Sequence, residues 1–478
     1  MSTLKKNFFY QSLFQLVKIL IPIITIPIIS KALGPGGIGA YNYTFSIVQY
    51  FVLFAGLGVA TYGNREIAIS WQKKENFSKT FLEIFIFKAV IAILLVAIYF
   101  ILILFLPYKI IFLIQGINII SVIFDVSWFF MGIEDFKKTS IVSLSIQIVN
   151  FVLIIIFIKT PDDLGMYTFF QSMSNLLSQF FILAFLKDYI RIEKIKFSDC
   201  FKHVNGSIKF FIPQIAIMFY TNINKTLLGV FLGTTAVGFY TNSLQINNVF
   251  ITVITTLDIV LLPHMSSLFA KDNIDQIIKL IRKTINLQLF FSIPIMFGIL
   301  TVFDKLVPWF FGESFLFINK VIPLFSVLVV IIPLGMSVSR QYLMPIGEIN
   351  VYNKSVLIGA VINILFNVLL IPSIGFFGVV VSNILAEAFV TLVRVLSFCK
   401  STKFKFDFKK IGIYFISGVI MCAFTRYLTN SLKATMITNA IQVVIAVPIY
   451  FALTSLFRAN PLFSYVNARK IDKNPNNE

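Results

Sequence analysis

The chain has 478 residues, of which 58% are hydrophobic and 13% charged, with a formal net charge of +19. Soluble domains carry about a quarter charged residues, so a mean hydropathy of +0.89 excludes a soluble enzyme and points to an integral membrane protein. An excess of cations suits nucleic acid when it forms a basic domain, but here the cations are scattered over short loops, which excludes that partner.

Apolar runs of about 20 residues, the length that crosses a bilayer, lie at 10–33, 38–60, 80–106, 109–133, 140–159, 164–186 and 208–232. Seven more follow at 237–265, 285–303, 316–339, 355–371, 376–398, 411–429 and 435–457. The pattern predicts an all-α fold of about fourteen transmembrane helices, so both termini share one side. Lysine and arginine concentrate in the loops near 65–79, 137–138, 187–209, 271–283 and 400–410, and in the tail from Arg458. Cytoplasmic loops hold the positive excess, so both termini are expected in the cytoplasm. The first run is too long for a signal-peptide core and has no small-residue cleavage site, which makes it an uncleaved helix. The cysteines Cys200, Cys399 and Cys422 have no metal or redox spacing.

Comparison of the chain with itself shows a repeat, a frequent feature of transporters. LGPGGIGAY at 33–41 matches LGTTAVGFY at 232–240, both at the turn between two runs. Asn150, Gly165 and Lys187 align in the same way with Asn363, Gly378 and Lys400. The copies begin runs one and seven, so the halves run parallel. The expected organisation is a six-helix bundle at 1–187, a cytoplasmic linker at 188–207 and a second six-helix bundle at 208–400. Two further helices at 401–457 and a polar cytoplasmic tail at 458–478 complete it.

Polar residues inside the runs recur at helical spacing, which turns them away from lipid. The stripes are Gln11, Gln15, Lys18 and Thr25 in run one; Asn42, Ser46 and Gln49 in run two; and Asn118, Ser121 and Asp125 in run four. Others are Gln171, Asn175 and Ser178 in run six, Gln214, Thr221, Asn222 and Lys225 in run seven, Asn248, Thr252, Thr255 and Asp258 in run eight, and Asn383, Glu387, Thr391 and Arg394 in run twelve. A polar cavity is one explanation. Bonding between neighbouring helices, at about 0.6 kcal/mol per contact, is the simpler one for any single Ser, Thr, Asn or Gln. Charges differ, because a central one costs about 2.5–3.5 kcal/mol even on the translocon scale. Lys18, Lys88 and Arg394 lie near run ends, where long side chains can snorkel; Lys225 and Glu387 lie deeper, and the short side chain of Asp258 cannot snorkel well. A helix-to-helix salt bridge is the competing role for Lys225.

No GxxxxGK[ST] loop is present, His203 and His264 are the only histidines, and no nucleophile with its base can be assembled. The expectation is therefore a protein without covalent chemistry and without a cofactor or metal.

GLGVATYGNREIAIS at 56–70 and LGPGGIGAYNY at 33–43 resemble signatures of the oligosaccharide repeat-unit flippases, the Wzx-type transporters of the MATE-like superfamily. DVSWFFMGIEDFKK at 125–138, FIPQIAIMFYTNINKTLLG at 211–229 and the segment 345–387 are similar to further signatures of that family. The resemblance covers most of the first twelve runs. It implies alternating access by two six-helix bundles that move an undecaprenyl-pyrophosphate-linked oligosaccharide from the inner to the outer leaflet of a bacterial cytoplasmic membrane. Lys18, Lys88, Lys225 and Arg394 would supply cations for the pyrophosphate, and Asp125, Asp258 and Glu387 are candidates for proton or sodium coupling. Arg65 and Glu66 are candidates for a cytoplasmic gate, with Gly56, Gly58 and Gly63 allowing close helix approach; a helix-end ion pair is the plainer role. Relatives often carry Asp before the lysine; here Asn224 leaves Lys225 without a neighbouring carboxylate. A polysaccharide polymerase and glycosyltransferases are candidate partners. The competing functions are a lipid II flippase, a MATE-type small-molecule exporter, a membrane glycosyltransferase or polymerase, and a non-transporting scaffold for glycan-assembly enzymes.

Overall fold

The computed structural model describes residues 3–73, 76–271 and 273–462, with side chains from Ile21 onward. Helix is the only regular structure among them, and the chain divides into two compact units, 1–238 and 239–478. Among the described residues twelve helical segments are long and apolar enough to cross a membrane. The difference from fourteen has two sources. Runs one and two belong to a single long helix bent at one glycine, and run four is broken.

The first unit holds α1 (Thr3–Gly56), α2 (Val59–Gln72), α3 (Phe77–Leu102), α4 (Lys109–Gln115) and α5 (Ile117–Phe124). It continues with α6 (Ser127–Gly132), α7 (Phe136–Phe157), α8 (Leu164–Ala184), α9 (Phe197–Cys200) and α10 (Val204–Leu232). The bend in α1 is at Gly34, with φ 63° and ψ −179°. Its repeat partner Gly233 takes the same conformation, φ 83° and ψ 172°, where α10 ends. This left-handed region is open to glycine at no steric cost, so each copy of the LGxxx turn is a helix break set by one residue. The two copies also pack on each other reciprocally. A Cβ on Gly39 would stand 1.7 Å from Thr234 O, and a Cβ on Gly238 would stand 2.0 Å from Pro35 O. Pro35 and Thr234 are equivalent in the repeat, as are Gly39 and Gly238, so the contacts have the self-complementary form of a two-fold interface.

Run four breaks at Asp125 and Val126, between α5 and α6. A break inside a membrane leaves backbone groups that must find partners within the protein. Lys88, from α3, donates to the Asp125 carbonyl, and Trp128 Nε1 donates to the same oxygen at 3.1 Å. Asp125 Oδ1 accepts the Ser127 N–H at 2.9 Å, an Asx-type turn that leads into α6. The charged residues that look anomalous in an apolar sequence are what hold this break.

The second unit takes α11 (Thr234–Ala270) from Phe239 onward, then α12 (Ile274–Phe310), α13 (Ile322–Phe325), α14 (Leu328–Val338) and a π-helical turn, Ser339–Leu343. After these come α15 (Ile349–Ile374), α16 (Phe376–Thr402), α17 (Phe408–Thr429) and α18 (Met436–Leu456). In lipid, helices gain little from the hydrophobic effect and associate through packing and polar bonds. The last two helices follow that rule against α12. Fully buried Phe290 sits among Tyr414, Tyr450 and Phe451 at 5.4–5.6 Å between ring centres. Tyr450 Oη donates to Phe290 O at 2.9 Å, and Tyr414 Oη donates to Ala459 O at 2.9 Å.

Candidate functional site

In the first unit α10 lies along the second half of α1. Gly229 faces the Tyr43 ring, where a Cβ would stand 2.0 Å from Cδ2. One turn away, Ser46 and Tyr50 of α1 hydrogen-bond Thr226 at 2.9 and 3.2 Å. These polar residues bond neighbouring helices, the simpler of the two roles read from the sequence. Lys225, beside Thr226, does not join them. It is half-buried, and no hydrogen-bond or ion-pair partner for its ammonium occurs among the described residues. The side chain of Lys18 lies outside the described residues.

The structure brings Lys88 and Asp125 together, although the sequence assigned one to substrate and the other to ion coupling. Lys88 is 1% exposed, and its contact is with the Asp125 carbonyl at the C-terminal end of α5, where helix carbonyls carry partial negative charge.

Close to the first unit's basic loops, the stretch 56–70 is divided between the end of α1 and α2. Gly58 has φ +74°, and a Cβ there would meet Ser207 O at 2.6 Å and Phe211 N at 2.8 Å, so α10 approaches backbone to backbone. Ser207 Oγ donates to Leu57 O at the same place. Gly63 lies against the Trp128 ring, but a Cβ on Gly56 would have nothing within 4 Å among the described residues, so no close approach of the expected kind is formed there by those residues. Among the described residues Arg65 and Glu66 pair only with each other, at 3.3 Å, and the Arg65 side chain is 61% exposed, a geometry worth little energy.

The buried contact next to them uses residues that the sequence did not single out for it. Tyr62 Oη is 2.8 Å from His203 Nδ1, His203 Nε2 is 3.2 Å from Glu83 Oε2, and Lys202 Nζ is 2.6 Å from the same oxygen. An ionised carboxylate can only accept, so Nε2 carries a proton and neutral His203 accepts from Tyr62 through Nδ1. Tyr62, Glu83 and His203 are all buried, and Gly206 makes room for the Tyr62 ring. This chain of bonds joins α2 and α3 to the start of α10. One of only two histidines next to a polybasic segment was the available signal.

In the second unit Asp258 of α11 is fully buried. Its Oδ1 accepts from Gln288 Nε2 at 2.8 Å, Gln341 Nε2 at 2.6 Å and Ser337 Oγ at 3.0 Å. Ser337 Oγ also lies against Gln288 Oε1, and a single hydroxyl proton can serve only one of these acceptors. Thr284 donates to Gln341 Oε1 at 2.5 Å. Asp258 Oδ2 has no hydrogen-bond partner among the described residues. Gln341 sits in the π-helical turn, an irregularity common at functional sites. Arg394 of α16 is 5% exposed, donates to Ser355 Oγ at 2.9 Å and lies 4.8 Å over the Tyr352 ring. Glu387, about two helical turns before it, is half-buried.

This fold, with charged side chains buried in its helix contacts, defines a polytopic α-helical membrane protein. The chain belongs to the polysaccharide biosynthesis protein family, whose profile matches residues 4–269. It is 23% identical over 290 residues to a protein of Escherichia coli (strain K12) named as an O-antigen transporter, covering 59% of this chain and 69% of that one. It is 24% identical over 230 residues, 48% of each chain, to a Haloferax volcanii protein named as a low-salt glycan biosynthesis flippase. Among solved structures it resembles the lipid II flippase MurJ in an inward closed conformation. The TM-score is 0.75 at 14% identity, covering 94% of this chain and 98% of that one, a likeness of fold.

Proposed function

We propose that this chain is a flippase for undecaprenyl-pyrophosphate-linked oligosaccharide repeat units, moving them from the inner to the outer leaflet of the cytoplasmic membrane by alternating access and without covalent chemistry. Both termini lie in the cytoplasm. The family membership and the named relatives support the substrate class. The observation that carries the mechanism is Lys225, a half-buried cation on α10 with no partner among the described residues. A lipid pyrophosphate provides the anion that such a group lacks, and a charge held in the membrane without a partner is costly unless function retains it.

The other charges take separate roles. Lys88 and Asp125 hold the break between α5 and α6, and Arg394 is engaged by Ser355 and Tyr352, so both cations reach substrate only by exchanging partners. Asp258 is the ion-coupling residue, with the unpaired Oδ2 as the seat of a proton or sodium ion. The Tyr62–His203–Glu83 chain is the cytoplasmic gate, with Arg65 and Glu66 on its rim, and the gate opens when α10 parts from α2 and α3. Cells lacking the chain should accumulate lipid-linked repeat units on the inner leaflet. Restoring Lys225→Arg should clear them and restoring Lys225→Ala should not; clearance by both removes the anion-binding role.

A further inference from the structure

The polar stripe Gln171, Asn175 and Ser178 takes no part in the roles assigned above. The structure gives it a cavity. Between α1, α7 and α8 of the first unit lies a space of 490 Å³, within the range of about 300–1,000 Å³ typical of small-molecule sites. Its polar lining consists of amides and hydroxyls, and no charged residue is among the described residues that line it. Two cavities of the second unit are of other kinds. One, of 350 Å³, is walled by apolar and aromatic side chains such as Phe291 and Val447, and another, of 380 Å³, carries Arg282, Lys283, Lys405 and Lys410.

The walls of the amide-lined cavity are held in place from behind. Asn150 Nδ2 donates to Gln171 Oε1 at 2.9 Å, Gln171 Nε2 donates to Tyr167 Oη at 3.0 Å, and Asn175 Nδ2 donates to Asn118 Oδ1 at 2.8 Å. Asn150 Oδ1 stays buried with no partner among the described residues, and so does Gln179 Oε1. Gln147 and Ser174 line the cavity and make no side-chain hydrogen bond among those residues. Buried polar groups ordinarily find partners, and a membrane interior offers none from solvent. A concave surface with unmet acceptors, adaptable donors and no charge among its described lining residues matches a neutral polyhydroxyl compound better than a pyrophosphate, an ion or a lipid chain.

We infer that this cavity is a binding site for the uncharged sugar portion of the transported lipid, with Gln147, Asn150 and Gln179 bonding sugar hydroxyls. The inference rests on the flippase reading and adds to it that glycan and pyrophosphate are held by different parts of the protein. Gln147→Leu tests it cleanly, because that amide supports no wall contact. The probes are the lipid-linked repeat unit extracted from cells lacking the chain and the same lipid without sugar, titrated against the full chain in nanodiscs. Gln147→Leu should weaken binding of the glycosylated lipid about two- to tenfold, the loss expected of one neutral hydrogen bond, and leave the sugar-free lipid unchanged. Equal effects on both lipids, or on neither, overturn the inference and leave the flippase reading standing. Failure of the wild-type chain to bind either lipid removes that reading as well. A second measurement is independent of affinity loss: Ser174→Cys should be shielded from a small thiol reagent by the released oligosaccharide. Labelling at an unchanged rate contradicts the assignment.

Discussion

Glu83→Ala should open the proposed gate. Glu83 is 1% exposed and accepts from His203 and Lys202. The Lys202 side chain is 56% exposed and recovers its hydration when the carboxylate is lost, so that arm contributes little. The His203 side chain is 5% exposed, and its Nε2–H would be left buried without an acceptor, at about 1–3 kcal/mol. If these bonds exist only while α10 is seated on α2 and α3, the closed population falls relative to the open one by about 5–150-fold. Gln214 of α10, which donates to Thr61 Oγ1 at 3.3 Å, is a reporter on the same seam. In a chain with its three native cysteines replaced, Gln214→Cys should react with an impermeant maleimide from the cytoplasmic side faster by that factor when Glu83→Ala is added. Glu83→Gln keeps an acceptor for His203 and should stay near the parent rate. A lower melting temperature with unchanged labelling in Glu83→Ala would refute the gate and leave a structural cluster.

Lys225→Ala should abolish export at normal protein level while Lys225→Arg largely retains it, read as surface polymer against membrane abundance. Asp258→Asn keeps an acceptor for Gln288 and Gln341, so thermal stability should change by no more than about 1 kcal/mol while the response of transport to an ion gradient is lost; an unchanged gradient response removes Asp258 from coupling. Gly238→Ala places a methyl 2.0 Å from Pro35 O, a backbone clash that should cost about 1–3 kcal/mol and show as a lower melting temperature. Lys88→Met takes one of two donors from the Asp125 carbonyl and leaves Trp128 as the other, so stability should fall by about 1–3 kcal/mol; export per folded molecule then reports whether Lys88 also meets substrate.

Much of the helical architecture is legible in the sequence because bilayer thickness imposes a length on every apolar run. The turn at Gly34 was legible from its copy at Gly233, since a left-handed residue ending a helix twice leaves a repeated glycine pattern. The break at Asp125 was not. An aspartate in an apolar run looks like a buried charge, and only Lys88, 37 residues away, shows that the backbone there needs a partner. The gate cluster was hidden for a related reason. Tyr62, Glu83 and His203 come from three helices, and nothing local in any of them reports that Gly58 and Gly206 let α10 come close. The stripe in run six was visible as a face, but its cavity depends on Gln147 and Asn150 of α7, which a single-helix periodicity cannot pair with it.

Transport of a lipid-linked oligosaccharide across a bilayer by this chain is expected to need Lys225. Its most direct test is transbilayer movement of a fluorescent undecaprenyl-pyrophosphate oligosaccharide in proteoliposomes, wild type beside Lys225→Ala, with and without an ion gradient. Movement is expected with the wild type and none above protein-free vesicles with Lys225→Ala. Equal movement by both would contradict the role of Lys225, and movement of lipid II alone by the folded wild-type chain would contradict the substrate.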